Sequence, residues 1–118
     1  MRGAALALAL VMAGTAGAQE VASAPGAVLR ALDKVSGATE DIELARGAEA
    51  GFGALTISLS DCRYPVGDPS ANAYAHVTIR HGAEGAAAFD GWMIASSPAL
   101  SALDDPRYDV WVLRCKSE

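Results

Sequence analysis

The side chains of this sequence that could carry out chemistry are two adjacent serines and two histidines. Ser96 or Ser97 could act as a nucleophile, with His76 or His81 as the general base and Asp109 as the group that orients the base. Neither serine lies in a Gly-x-Ser-x-Gly turn, and Ser97 precedes a proline, which suits the start of a helical turn. The sequence therefore leaves a small hydrolase as an alternative and predicts no catalytic residue.

Metal and phosphate sites are not indicated by the remaining polar residues. His76 and His81 would fall on opposite faces of a continuous strand, which does not suit a shared metal ion. The acidic pair at 104–105 lacks the alternating oxygen ligands of a calcium loop. The glycines at 51–53 are too few to form a phosphate cradle. We expect no metal and no cofactor.

The charge of the chain excludes two classes of partner. Nine basic and 14 acidic residues give a net charge of −5 at pH 7, and the basic residues are not clustered. Nucleic acids and anionic membrane surfaces are bound by clustered basic residues. We therefore expect neither as a partner.

The first 18 residues have the organisation of an export signal. Arg2 supplies a positive charge, residues 4–13 are apolar, and small residues occupy 16–18. The apolar run is too short to span a membrane, and no cysteine follows it to carry a lipid. We predict a signal peptide at 1–18, cleavage before Gln19, and no transmembrane segment in the mature chain.

Two cysteines, Cys62 and Cys115, both lie in the part of the chain that would be exported. An even pair in a small exported domain predicts one disulfide. A redox or metal-binding pair is the alternative. Neither Cys-x-x-Cys spacing nor a nearby histidine supports that alternative.

Alternation of apolar and polar residues predicts an all-β domain. Residues 19–27 are rich in Ala, Ser, Pro and Gly and are predicted to be a flexible leader, and 28–118 a single domain. We expect about six antiparallel strands in a small sandwich or barrel-like meander, with a short helical turn near residues 98–103. The strands are predicted at 28–34, 41–44, 55–60, 74–80, 86–95 and 108–115, with loops at 47–53 and 63–72.

Cys62 does not fit the alternation of the strand that precedes it. If Leu55, Ile57 and Leu59 face the core, Cys62 should face solvent. A bulge near Asp61 would return the cysteine to the core.

The large side chains near the C-terminus are predicted to divide between the core and the surface. Trp111 lies in a strand with apolar residues on both faces, so we predict that it is a core residue. We expect part of Trp92, Met93 or Tyr108 to remain accessible. These three residues are the candidate partner surface.

The segment 91–115, with both tryptophans and Cys115, resembles the signature of a family of small exported proteins of Gram-negative bacteria, known as domain of unknown function 2155. The segments Ala-Leu-Asp-Lys-Val-Ser-Gly at 31–37 and Phe-Gly-Ala-Leu at 52–55 resemble the same pattern. Asp105 departs from it, because a histidine is expected before Pro106. The resemblance implies a location in the envelope and implies no activity, so no functional residue is carried over.

The leading functional hypothesis is a non-enzymatic periplasmic domain. It would bind or support another envelope component, either a protein or a component of the cell wall. The alternatives are the small hydrolase and a small-molecule carrier with a barrel interior.

Overall fold

The computed structural model describes residues 20–117, which form eight antiparallel strands in two packed sheets. The larger sheet has the order β1-β5-β6-β7, with β4 also paired to β5, and the smaller sheet has the order β3-β2-β8. The strands are β1 (Val21–Ser23), β2 (Gly26–Asp33), β3 (Thr39–Ala45), β4 (Glu49–Phe52), β5 (Leu55–Pro65), β6 (Tyr74–His81), β7 (Ala87–Ile94) and β8 (Tyr108–Lys116). The predicted signal peptide lies outside the described residues. No helix within 20–117 is long and apolar enough to cross a membrane.

The all-β prediction is confirmed, and the structure adds two short strands to the predicted six. Strand β1 lies in the segment predicted as a flexible leader (19–27), where it pairs with the end of β5. Strand β4 lies in the predicted loop 47–53 and forms a tight hairpin with the start of β5. Strand β5 itself runs five residues beyond its predicted end. Such short segments are held by the strand beside them and not by an alternation of their own.

The hairpin between β4 and β5 depends on Gly53. Phe52 pairs with Leu55 across a two-residue turn, and Gly53 has a φ of +55°. A β-carbon at Gly53 would lie 2.5 Å from the hydroxyl oxygen of Tyr108. The turn therefore requires glycine for its backbone angle and for the close approach of Tyr108.

The core lies between the two sheets and is lined by alternate residues of their strands. Leu55, Ile57 and Leu59 face it from β5. The register with β6 shifts between Leu59 and Asp61, and Cys62 beyond this bulge is fully buried. The bulge predicted near Asp61 is confirmed.

A disulfide joins Cys62 of β5 to Cys115 of β8, and so ties the larger sheet to the smaller one. The two α-carbons are 5.8 Å apart, within the range that a disulfide can bridge. The predicted pairing is therefore present in the structure.

The structure corrects the predicted roles of three side chains, Trp111, Met93 and Tyr108. Trp111 is half-buried on the outer face of β8, because its neighbours Val110 and Val112 take the inner positions. Met93 and Tyr108 are 1% and 3% exposed and belong to the core. The predicted surface of Trp92, Met93 and Tyr108 does not form as a patch, since only Trp92 reaches solvent.

The predicted helical turn near 98–103 is shorter than expected. A 3₁₀ turn covers Pro98–Leu100, and the Ser97 side chain makes no capping hydrogen bond. Leu100 is 77% exposed, whereas Leu103 is buried. The 3₁₀ segment has three residues and forms a single turn, none of which is buried. The core is reached only by Leu103, which follows the turn.

Candidate functional site

The two candidate nucleophiles are not placed beside a histidine. The Ser96 hydroxyl accepts a hydrogen bond from Asn72 Nδ2 at 2.8 Å, and the Ser96 backbone N–H donates to Asn72 Oδ1. Ser97 begins the 3₁₀ turn. These contacts close the loop after β7 against the start of β6.

The two histidines form separate pairs with carboxylates. His76 Nε2 lies 3.5 Å from Asp90 Oδ1, and His81 Nε2 lies 2.6 Å from Asp105 Oδ2. Asp109 faces Lys34 and not a histidine. Among residues 20–117 no serine, histidine and aspartate come together as a catalytic set, and no three metal-ligating side chains converge.

A cluster of ionic side chains, which we call the polar clamp, closes one end of the sandwich. It consists of Asp33 at the end of β2, His81 at the end of β6, Asp105 and Arg107 just before β8, and Tyr108 at the start of β8. Arg107 Nη2 donates to Asp33 Oδ2 at 2.9 Å, and the Arg107 hydrogen bonds lower the pKa of Asp33 to about 2. The backbone N–H groups that follow Asp33 donate to its other oxygen.

Asp105 is the buried centre of the polar clamp, and it occupies the position where the family resemblance predicts a histidine. Burial disfavours its charged form, but hydrogen bonds from the backbone of Arg107, the backbone of Tyr108 and the ring of His81 outweigh burial and hold the pKa of Asp105 below its usual value. Lys34 Nζ donates to the Asp105 backbone carbonyl at 2.7 Å.

Three segments that carry the family resemblance meet at this clamp. Asp33 comes from 31–37, the turn at Gly53 from 52–55, and Asp105, Arg107 and Tyr108 from 91–115, whereas His81 lies outside these segments. The Ala54 backbone N–H donates to the Tyr108 hydroxyl, which ties the second segment to the third. The carboxylates are satisfied by groups of the chain itself, so the cluster holds the fold together and leaves little capacity for a ligand.

The outer face of the larger sheet has a different character. Five side chains surround a shallow depression of about 280 Å³, and we call this surface the Trp92 face; it comprises Val21, Arg63, Tyr74, Trp92 and Ile94. Strand pairing assembles it, because Arg63 lies opposite Tyr74 and Tyr74 opposite Ile94. Trp92 lies opposite His76 in the next row.

Arg63 is held over Trp92 by a carboxylate. Its Cζ atom lies 4.8 Å from the centroid of the Trp92 ring, and its Nε donates to Asp61 Oδ2 at 2.9 Å. Burial works against the charge on Asp61, but hydrogen bonds from Arg63 and Ser23 outweigh it and lower the pKa of that carboxyl. The guanidinium is therefore fixed on the ring by a cation–π contact and one ionic hydrogen bond.

The outer face of the smaller sheet carries the same three residue types in another arrangement. Arg30 donates from Nε to Asp41 Oδ1 at 2.7 Å and from Nη2 to Asp41 Oδ2 at 3.0 Å. Trp111 lies opposite Arg30 in the strand register. This arginine binds its own aspartate with two donors.

Of the five residues on the Trp92 face, only Trp92 belongs to the surface that the sequence predicts. In the predicted strand 74–80, Tyr74 alternates with the apolar residues Ala75, Val77 and Ile79, and this pattern indicates that Tyr74 faces away from the core. Arg63 falls in the predicted loop 63–72, because the sequence predicts that this strand ends at residue 60. Val21 falls in the predicted leader 19–27.

Comparisons with known proteins identify relatives without a described function. A family model described as "Uncharacterized protein conserved in bacteria (DUF2155)" matches residues 27–115. An uncharacterized protein of Rickettsia prowazekii (strain Madrid E) is 31% identical over 88 residues, which cover 72% of this chain and 57% of the rickettsial protein. The chain thus spans little more than half the length of that relative. No solved structure matches the chain.

Proposed function

The chain belongs to the DUF2155 family, and from this membership and its surface we propose that it is a non-catalytic domain of the bacterial cell envelope that binds another envelope component. The proposal includes export through a signal peptide at 1–18 and a periplasmic location. The disulfide between Cys62 and Cys115 supports export, because disulfides form and persist in oxidising compartments.

The observation that carries the proposal is the Trp92 face. Trp92 is 37% exposed and Val21 is 43% exposed, and they lie around one depression with Tyr74 and Ile94. Exposed aromatic and aliphatic side chains that share a patch are typical of surfaces that bind partners, and Trp, Tyr and Arg are the residue types enriched there.

The arrangement of the polar groups favours binding over hydrolysis. His81 is engaged by the buried Asp105, and Ser96 is engaged by Asn72. The depression of the Trp92 face is open to solvent, which suits contact with a larger partner better than enclosure of a small molecule.

Site-specific photocrosslinking tests the proposal. A photoreactive residue is placed at Val21, on the Trp92 face, and in a matched control at Val35, which is 76% exposed in the turn after β2. In envelope extracts the Val21 position should yield a defined crosslinked product that Trp92→Ala abolishes, and Val35 should not. Equal products at both positions, or none at Val21, would contradict the proposal.

Export is tested separately by mass. The protein recovered from the periplasm should lack its first 18 residues and begin at Gln19. A periplasmic product that retains Met1 contradicts the predicted cleavage.

A further inference from the structure

Arg63 has unused hydrogen-bonding capacity directed away from its own aspartate. Within residues 20–117 the only hydrogen bond of its guanidinium is the one from Nε to Asp61, and 48% of the side chain is exposed. The two terminal nitrogens carry four further N–H donors. A guanidinium fixed on one side and free on the other is prepared to bind a planar anion such as a carboxylate.

The local charge around Arg63 favours an anion as well. Arg46 Nη1 lies 3.9 Å from Asp61 Oδ1, so two arginines share the single carboxylate of Asp61. These three side chains together carry one more positive than negative charge, on a chain whose net charge is −5. Opposite charges across an interface select a partner and its orientation.

The depression beside Arg63 is lined mainly by apolar atoms of Val21, Tyr74, Trp92 and Ile94. Its volume of about 280 Å³ is sufficient for one large side chain but not for a long ligand. A partner that fills it should therefore present a bulky apolar side chain next to the group that meets Arg63.

From these observations we propose that the Trp92 face binds an acidic segment of a partner protein, in which an Asp or Glu stands beside a bulky apolar residue. The inference rests on the proposed function, and it names the chemistry of the partner. The carboxylate pairs with the terminal nitrogens of Arg63, and the apolar side chain fills the depression. Both contacts exclude water from the rim of the other, which strengthens them.

Two other classes of partner fit the surface less well. A sugar ring stacks on an open aromatic face, but Arg63 covers the Trp92 ring and His76 lies 5.1 Å from its centroid. An anionic lipid surface would be repelled by the net negative charge of the chain. An acidic protein segment can instead make one local ion pair.

The test is selection of peptides by the full chain, purified with its disulfide intact. A phage-displayed library of random 12-residue peptides is panned on the protein, and the enriched peptides are measured by fluorescence polarisation. We expect an Asp or Glu within two positions of a Trp, Phe, Leu or Ile. Arg63→Gln should weaken binding by about tenfold or more, the effect of losing a charged hydrogen bond. The matched control Arg30→Gln should change it less than about twofold.

Each other outcome overturns a defined claim. Enriched peptides without acidic residues, or unchanged affinity in Arg63→Gln, overturn the acidic partner, while the proposed function stands if Trp92→Ala still abolishes binding. If no peptide is enriched, or if the Trp92→Ala variant binds the enriched peptides with unchanged affinity, the acidic partner is overturned. The proposed function is then decided by the crosslinking at Val21 alone. Sedimentation with phosphatidylglycerol vesicles that requires Arg63 replaces the protein partner with a lipid.

Discussion

The two outer faces of this sandwich each carry an arginine, an aspartate and a tryptophan, yet they differ in what they leave free. On the smaller sheet, Arg30 uses two nitrogens to bind Asp41. On the larger sheet, Arg63 uses one nitrogen to bind Asp61 and lies over Trp92.

The difference follows from strand geometry. Arg30 and Asp41 lie directly opposite each other on β2 and β3, so the guanidinium and the carboxylate can meet edge to edge. Asp61 and Arg63 are two residues apart on one strand. Arg63 must reach back along β5, so it meets the carboxylate with Nε alone. Identical residue types thus form a closed pair when they face each other across strands and an open pair when they follow each other along one.

Removal of the disulfide that links the two sheets should have the largest effect. Cys62→Ala combined with Cys115→Ala should lower the free energy of unfolding by about 4 kcal/mol, because the disulfide closes a long loop of the unfolded chain. Both sheets should unfold in one transition at a lower urea concentration, and binding at the Trp92 face should be lost with them. Urea unfolding measures the stability, and fluorescence polarisation measures the binding. Reduction of the wild-type protein is the control, and an unchanged melting temperature after reduction would contradict the prediction.

Substitution of the two tryptophans should affect different properties, stability for Trp111 and partner binding for Trp92. Trp111→Ala should cost about 2 kcal/mol, since this ring is half-buried, lies opposite Arg30 in the strand register and lines one depression with residues of the 3₁₀ turn. Trp92→Ala should cost less than about 1 kcal/mol and abolish partner binding. Urea unfolding measures both. If Trp92→Ala destabilises as much as Trp111→Ala, the Trp92 face is a packing surface and the comparison fails.

Acidification should lower the thermal stability that the polar clamp provides, and part of this loss should depend on the carboxylate of Asp33. Its pKa of about 2 in the folded protein lies below the ordinary value of 3.8 because Arg107 stabilises the carboxylate. The stabilisation is therefore fully present above about pH 5 and is lost as the pH falls through 4 towards 2. Melting temperature measured from pH 6 to pH 2 should fall less steeply in Asp33→Asn than in the wild type. Parallel curves would show that Arg107 does not stabilise this carboxylate.

The smallest effect concerns the two outer arginines themselves. Both side chains are partly exposed, so each substitution should change the melting temperature by no more than about 3 °C. Arg30→Gln should lower it more than Arg63→Gln does, because it breaks two hydrogen bonds. The reverse order in a thermal melt would mean that Arg63, and not Arg30, is the closed pair.

Much of the fold was accessible from the sequence because its signals are local. Alternation in β5 predicted which residues face the core, and the misplaced parity of Cys62 predicted the bulge at Asp61. The even pair of cysteines, in a domain expected to be exported, predicted the disulfide. Residues of one strand report their own faces directly, so these predictions needed no knowledge of neighbouring strands.

The Trp92 face was less accessible from the sequence because its residues come from four strands. Val21, Arg63, Tyr74 and Trp92 lie on β1, β5, β6 and β7. The sequence therefore pointed to Met93 and Tyr108 beside Trp92, although these face the core. Period-two alternation assigns two faces to a strand but does not say which of them another sheet will cover.

By itself the sequence determined the all-β class, the disulfide partners and the parity of the long strands, because each depends on residue type and spacing within one segment. Tertiary structure alone decided that Trp111 would pack outside the core and that Arg63 would lie over Trp92. It also decided that Asp33, Asp105 and Arg107 would close one end. These outcomes depend on register between distant strands, and register is fixed only when both sheets pack their apolar faces together.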